Sequence, residues 1–283
     1  MDSLKAFGYV IAFLIIQAIA QTIVMGISML ISGSDDVAMS GMDLIISSVL
    51  CTFTTIVVFY FLRWTPLDKQ YLLTKPWIVI CWSVVAALGV IIPSLFLQQS
   101  LPEFPDWMKK IAEDSEETFQ QIIHTRGGYL VIALLAPIAE EVVFRGAALR
   151  KLLEWKPDNP WLMIALSALF FAVAHLNPAQ MPHAFLMGLL LGWMYWRTGS
   201  IVPAIAFHWT NNTAAYILML WYPNSETTLY DILGQRALLA VAFSLCIFLP
   251  ALFQLHLWMK KSLPLPPSEE RGEASAPAPH LEL

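Results

Sequence analysis

Long apolar runs separated by short polar clusters set the pattern of this chain. A helix needs about 20 apolar residues to cross the hydrocarbon layer of a bilayer. By that measure eight stretches predict spanning helices, at 7–32, 43–63, 77–97, 128–149, 161–176, 182–196, 201–221 and 236–258. The fifth and sixth are short, with Pro178 and Pro182 in the tight link between them, so they tilt little or end below the interface. The 98–127 link places Trp107, Ile111, Phe119 and Ile122 at roughly helical spacing in an acidic context. Both an interfacial helix on the outer surface and an ordinary solvated connector fit that pattern. After Lys261 the sequence turns Pro-, Ala- and Glu-rich, which predicts a disordered tail over 262–283. The expected organisation is an all-α polytopic membrane bundle of about eight transmembrane helices. Residues 1–127 form three helices and an external link, 128–221 a four-helix core, 222–261 the last span, and 262–283 the tail.

Composition agrees with lipid as the solvent. Hydrophobic residues make up 58% of the 283 positions and charged residues 13%, with a mean hydropathy of +0.63. A soluble domain carries about 25% charged residues. The apolar run from Phe7 to Ile31 far exceeds the roughly 7–15-residue core of a cleavable signal, so it is expected to be a first span. No lipidation motif is visible. The net charge of −5, without a basic stripe, excludes a nucleic-acid partner. Cys51, Cys81 and Cys246 fall in apolar runs without CxxC spacing, which predicts small buried hydrophobes rather than disulfides or a zinc–thiolate site.

With eight spans, both termini lie on one side. That side collects Lys5, Arg63, Lys69, Lys75, Arg145, Arg150, Lys151, Lys156, Arg197, Lys260, Lys261 and Arg271, against Lys109, Lys110, Arg126 and Arg236 opposite. The excess of positive charge predicts that both termini are cytoplasmic.

Ionisable groups inside a bilayer are costly and mark function by default. Glu140 and Glu141 are adjacent within the fourth span. Arg145 follows Glu141 by four residues, so the two meet on one helix face and neutralise each other. Glu140 is turned about 100° away, with no partner on its own helix. Desolvation tunes such a carboxylate towards general-base work; a buried ion-pair network that fixes helix packing is the other reading of the pair. His175 ends the fifth span, with Phe171 one turn earlier, and His208 lies in the seventh with Asn212 on the same face. Together they supply a base, a second acid or base, and a donor for a developing oxyanion. His183, His124, His256 and His280 lie at edges, interfaces or the tail, Asn177 is expected to cap the fifth span, and GLLLG at 188–192 is a small-residue packing motif. The span boundaries leave a tension. Glu140 and His208 fall near mid-membrane, whereas His175 lies nearer the outer end, unless its helix starts deeper or a water-filled cavity intervenes.

Three motifs then stand in order: EEVVFR at 140–145 as EExxxR, FAVAH at 171–175 as FxxxH, and HWTNN at 208–212 as HxxxN. In this order they resemble the CAAX-prenyl protease and bacteriocin-processing (CPBP, or Abi) family, as does the lead-in GWMYWRTGSIVPAIAFHW at 192–209. The resemblance covers roughly 128–221. It implies an eight-helix intramembrane glutamate endopeptidase of a bacterial cytoplasmic membrane. By that resemblance Glu140 activates the attacking water, assisted by His175, while His208 and Asn212 form the oxyanion site. Glu141, Arg145 and Phe171 support the site. The family and the absence of HExxH imply no metal and no other cofactor. The partners implied are a protein or peptide substrate at the membrane, prenylated in the family's best understood members, and the lipid bilayer itself.

Two other classes keep the same residues. A scaffold would use the polar cluster to recognise a partner without cutting it. A proton-coupled transporter would use Glu140, His175 and His208 as a relay, although the chain has no internal repeat or matched pair of broken helices.

Overall fold

A computed structural model describes residues 2–34, 38–67, 70–102, 104–222 and 227–259. Lys69, Lys260, Lys261, Arg271, His280 and the expected tail over 262–283 lie outside the described residues. Every regular element among the described residues is helical. In order these are α1 (Asp2–Ser32), α2 (Gly41–Phe61), α3 (Gln70–Leu73), α4 (Trp77–Gln99) and α5 (Asp106–Ile123). A long rod over 130–155 follows, then α8 (Pro160–Ala174), α9 (Met181–Thr198), α10 (Val202–Trp221), α11 (Leu229–Leu233), a 3-10 turn and α12 (Ala237–Met259). Each of the eight apolar stretches thus coincides with a helix.

Four helical stretches are long and apolar enough to cross a membrane: Asp2–Ser32, Gly41–Phe61, Trp77–Gln99 and Leu229–Met259. Pro160–Ala174 is apolar but has only 15 residues. The rod and α10 carry the ionisable and amide side chains of the first and third motifs, and these interrupt their apolar runs. The outward faces look like lipid-facing surface. Phe7, Ile11, Ile15, Ile19 and Ile23 recur every fourth residue on α1, all exposed, and Leu239, Phe243, Leu249 and Phe253 do the same work on α12.

The rod is not uniform. Wide-turn π-helical segments, π1 (Leu130–Leu135) and π2 (Glu141–Leu149), flank the short α6 (Ala136–Glu140), and α7 (Arg150–Trp155) completes it. Pro137 has no N–H to give to the preceding turn and its ring crowds the carbonyl there, so the ladder widens just before it. Such segments are frequent at functional sites.

Packing joins α1 to α2, α4 to α12, and α8 to α9, with α10 laid against α4 and π1. Two cores result. One gathers Phe13, Phe59, Phe144, Leu152, Ile164 and Phe171, and the other Ala86, Leu191, Met194, Phe207, Ala251 and Leu255. The GLLLG motif performs as a packing motif. A Cβ on Gly188 would lie 2.8 Å from the Ala168 backbone, and one on Gly192 would lie 2.9 Å from the Ile164 side chain. The helix ends sort into two groups. Arg150 Nη2 donates to Trp64 O (2.9 Å) and Arg197 Nη2 to Met259 O (3.3 Å) at one end. At the other, Leu229 N donates to Gln99 Oε1 (2.8 Å) and Tyr216 Oη to Ile123 O (3.0 Å).

Candidate active site

The rod and α8 form a hairpin through 156–159, and this brings His175 to about the level of Glu140. Glu140 lies fifteen residues before Trp155, and His175 fifteen after Pro160. At about 1.5 Å per residue the two reach comparable height from the shared turn. The fifth helix starts where the sequence places it, but α8 and α9 stop short while the rod continues to Leu130. Leu176, at φ +53°, ends α8 in the left-handed region, a conformation costing a β-carbon residue about 1–2 kcal/mol. Asn177 does not cap α8. It is buried, its Oδ1 accepts from Ala179 N (3.0 Å), and its carbonyl accepts from Gln180 and Met181 at the start of α9.

Glu141 and Arg145 are fully buried on π2 and form the expected ion pair, Nη1 to Oε1 at 2.9 Å. The same Oε1 faces His208 Nδ1, also at 2.9 Å. His208 Nε2 lies 3.7 Å from Glu140 Oε2. One imidazole therefore bridges the two carboxylates from α10. Arg145 Nη2 reaches Gly188 O at 3.4 Å, and its guanidinium lies 4.3 Å from the Phe171 ring centre, a cation–π distance. Phe171 also presents its ring edge-on to His175 (4.7 Å), His208 (5.8 Å) and Phe144 (5.1 Å). It is the aromatic pivot of all three motifs.

His175 Nδ1 lies 2.8 Å from Phe171 O. A carbonyl only accepts, so Nδ1 carries the hydrogen and Nε2 of the neutral ring keeps its lone pair. Asn212, one turn beyond His208, donates Nδ2 to Ile132 O of π1 (3.1 Å), which ties α10 to the widened part of the rod. Its second amide hydrogen is not used by that bond.

Glu140 and His175 line one cavity of about 260 Å³. Its far wall comes from α1 and α2, through Phe13, Gln17, Gln21, Ser47, Ser48, Cys51 and Thr52, and Phe119 of α5, Gln180 and apolar residues of the rod and α8 also line it. Sequence reasoning centred on ionisable groups missed this wall. The signal was present as two glutamines four apart, Gln17 and Gln21, inside an otherwise apolar first span. His183, assigned to a span edge, has its Nδ1 2.6 Å from Ser94 Oγ of α4. Among the described residues no three His, Cys, Asp or Glu side chains converge as a ligand set.

A buried Glu141 beside a partly exposed Glu140, two histidines and an adjoining cavity thus stand together within an apolar helical bundle. Residues 123–214 match the family model described as Type II CAAX prenyl endopeptidase Rce1-like, and all three motifs fall inside the match. The match supports the CPBP/CAAX protease family that the motifs resemble, and with it a membrane protease. Neither the curated proteins nor the solved structures give a match.

Proposed function

We propose that this chain is an intramembrane endopeptidase that hydrolyses a peptide bond of a membrane-associated or lipidated substrate with a glutamate-activated water. The observation that carries the reading is the cavity lined by both Glu140 and His175. Glu140 takes a proton from the water as it attacks the scissile carbonyl, and His175, through its free Nε2, helps to hold that water. The tetrahedral oxyanion is stabilised by His208 as an imidazolium, with its Nδ1–H held on Glu141 and its Nε2–H free to donate, and by the remaining amide hydrogen of Asn212. The proton is then delivered to the leaving amine. The protein is proposed to act in a bacterial cytoplasmic membrane with both termini cytoplasmic, all eight apolar helices crossing or entering the bilayer, and α5 lying on the outer surface.

Purified protein with dye-quenched casein as a general substrate tests this. Glu140→Gln keeps the shape and removes the base, so cleavage should vanish while the melting temperature holds. Cleavage by the parent protein should survive a chelator and gain nothing from zinc. Activity lost on chelation and restored by zinc would require a metalloprotease. A folded protein that binds casein without ever cutting it would be a scaffold.

A further inference from the structure

The family match leaves α1 and α2 outside it, yet these helices build the wall that faces Glu140 and His175. On α1 the cavity residues are Phe13, Gln17 and Gln21, a stripe repeating every four residues. The two glutamines lie about 160° around the helix from exposed Ile15 and Ile19, away from the lipid-facing stripe. Both carboxamides are exposed, and neither has a hydrogen-bond partner among the described residues. A primary amide without a protein partner is costly where water is scarce, so this pair favours a polar occupant of the cavity.

The spacing identifies the occupant. Residues four apart on a helix are separated by about 6 Å along its axis. In an extended chain, groups on the same edge recur every second residue, at about 6.7 Å. Each carboxamide offers both N–H donors and a C=O acceptor, the complement of a peptide unit. On the same wall, Ser48 and Thr52 of α2 repeat the four-residue step with small side chains that allow close backbone approach.

We propose that Gln17 and Gln21 hold the substrate as an extended polypeptide segment, by hydrogen bonds to alternate peptide units and without regard to side-chain identity. The substrate class is thus an unwound chain, whose scissile carbonyl is not occupied by a helical hydrogen bond. This deepens the protease reading and rests on it for the chemistry, but binding can be tested without turnover.

The test uses Glu140→Gln protein in detergent and two dye-labelled peptides of alternating Thr and Val, one unmodified and one N-methylated at every residue. Fluorescence anisotropy should show the unmodified peptide binding and N-methylation weakening it about tenfold. In the Gln17→Leu/Gln21→Leu protein the two peptides should bind alike. The single variant Gln21→Leu, expected to lose part of the discrimination, serves if the double variant does not fold. Equal sensitivity to N-methylation with and without the glutamines overturns the proposal, as does failure of both peptides to bind. Casein cleavage by the parent protein is scored separately. Cleavage with no glutamine effect removes the wall alone, whereas glutamine-dependent binding with no cleavage removes the protease and leaves the wall.

Discussion

Glu141 Oε1 accepts from two sides, Arg145 Nη1 and His208 Nδ1, each at 2.9 Å, in a place where Glu141 itself is fully buried. A charge pair removed from water is destabilised severely when one member is lost, by about 3–5 kcal/mol. Glu141→Gln strands the Arg145 guanidinium and slackens His208 at once. The melting temperature in detergent should therefore fall by about 10 °C, and cleavage should fall with it. Glu140→Gln, at a position open to the cavity, should leave melting unchanged; a Glu141→Gln protein as stable as the parent would remove the structural role. At this scale the ion pair was legible, because residues four apart on a helix meet. The attachment of His208 to the same oxygen was not. It joins residues 67 apart in sequence and depends on how α10 lies against the rod.

The hairpin of α8 and α9 sets where His175 stands, and its closeness depends on Gly188. A methyl group there would press on the Ala168 backbone, which cannot yield, and Gly188 O also accepts from Arg145. At Gly192 the nearest atom is the Cγ2 methyl of the Ile164 side chain, with no backbone atom among the close neighbours. Gly188→Ala should thus cost about 1–3 kcal/mol and reduce cleavage by displacing His175, with Gly192→Ala distinctly milder. Thermal melts and casein cleavage on both variants check the order, and equal or reversed effects would refute it. Sequence placed these helices to within a few residues, since apolar runs and the prolines at 160 and 182 mark their beginnings. It did not reveal the π segments around Glu140. A wide turn leaves no periodicity distinct from that of an α-helix in so short a stretch, and only Pro137 hints at the disruption. The height of His175 was left in tension for a related reason. Taking α8 as a full crossing puts its end at the outer face, whereas the rod outruns it by the length of π1 and α6.

Across the whole molecule, the two groups of helix ends carry different charge. The end where Arg150 meets Trp64 and Arg197 meets Met259 also holds Lys151 and Lys156, and Lys151 lies within electrostatic reach of Asp2 beside Lys5. The end where Leu229 meets Gln99 and Tyr216 meets Ile123 leads into acidic α5. Long-range hydrogen bonds, formed without regard to any bilayer, have thus sorted the loops as charge counting along the chain does. Retention of basic loops on the cytoplasmic side then predicts the proposed orientation. Single cysteines introduced at Ser100 and at Asp158, in a background with Cys51, Cys81 and Cys246 changed to serine, should report opposite sides in intact cells. A membrane-impermeant maleimide should label Ser100→Cys directly and Asp158→Cys only after permeabilisation. Labelling of both from outside would break the alternation of the helices, and the reverse pattern would invert the bundle. Either result would also change the side of the membrane on which the α5 end of the bundle lies.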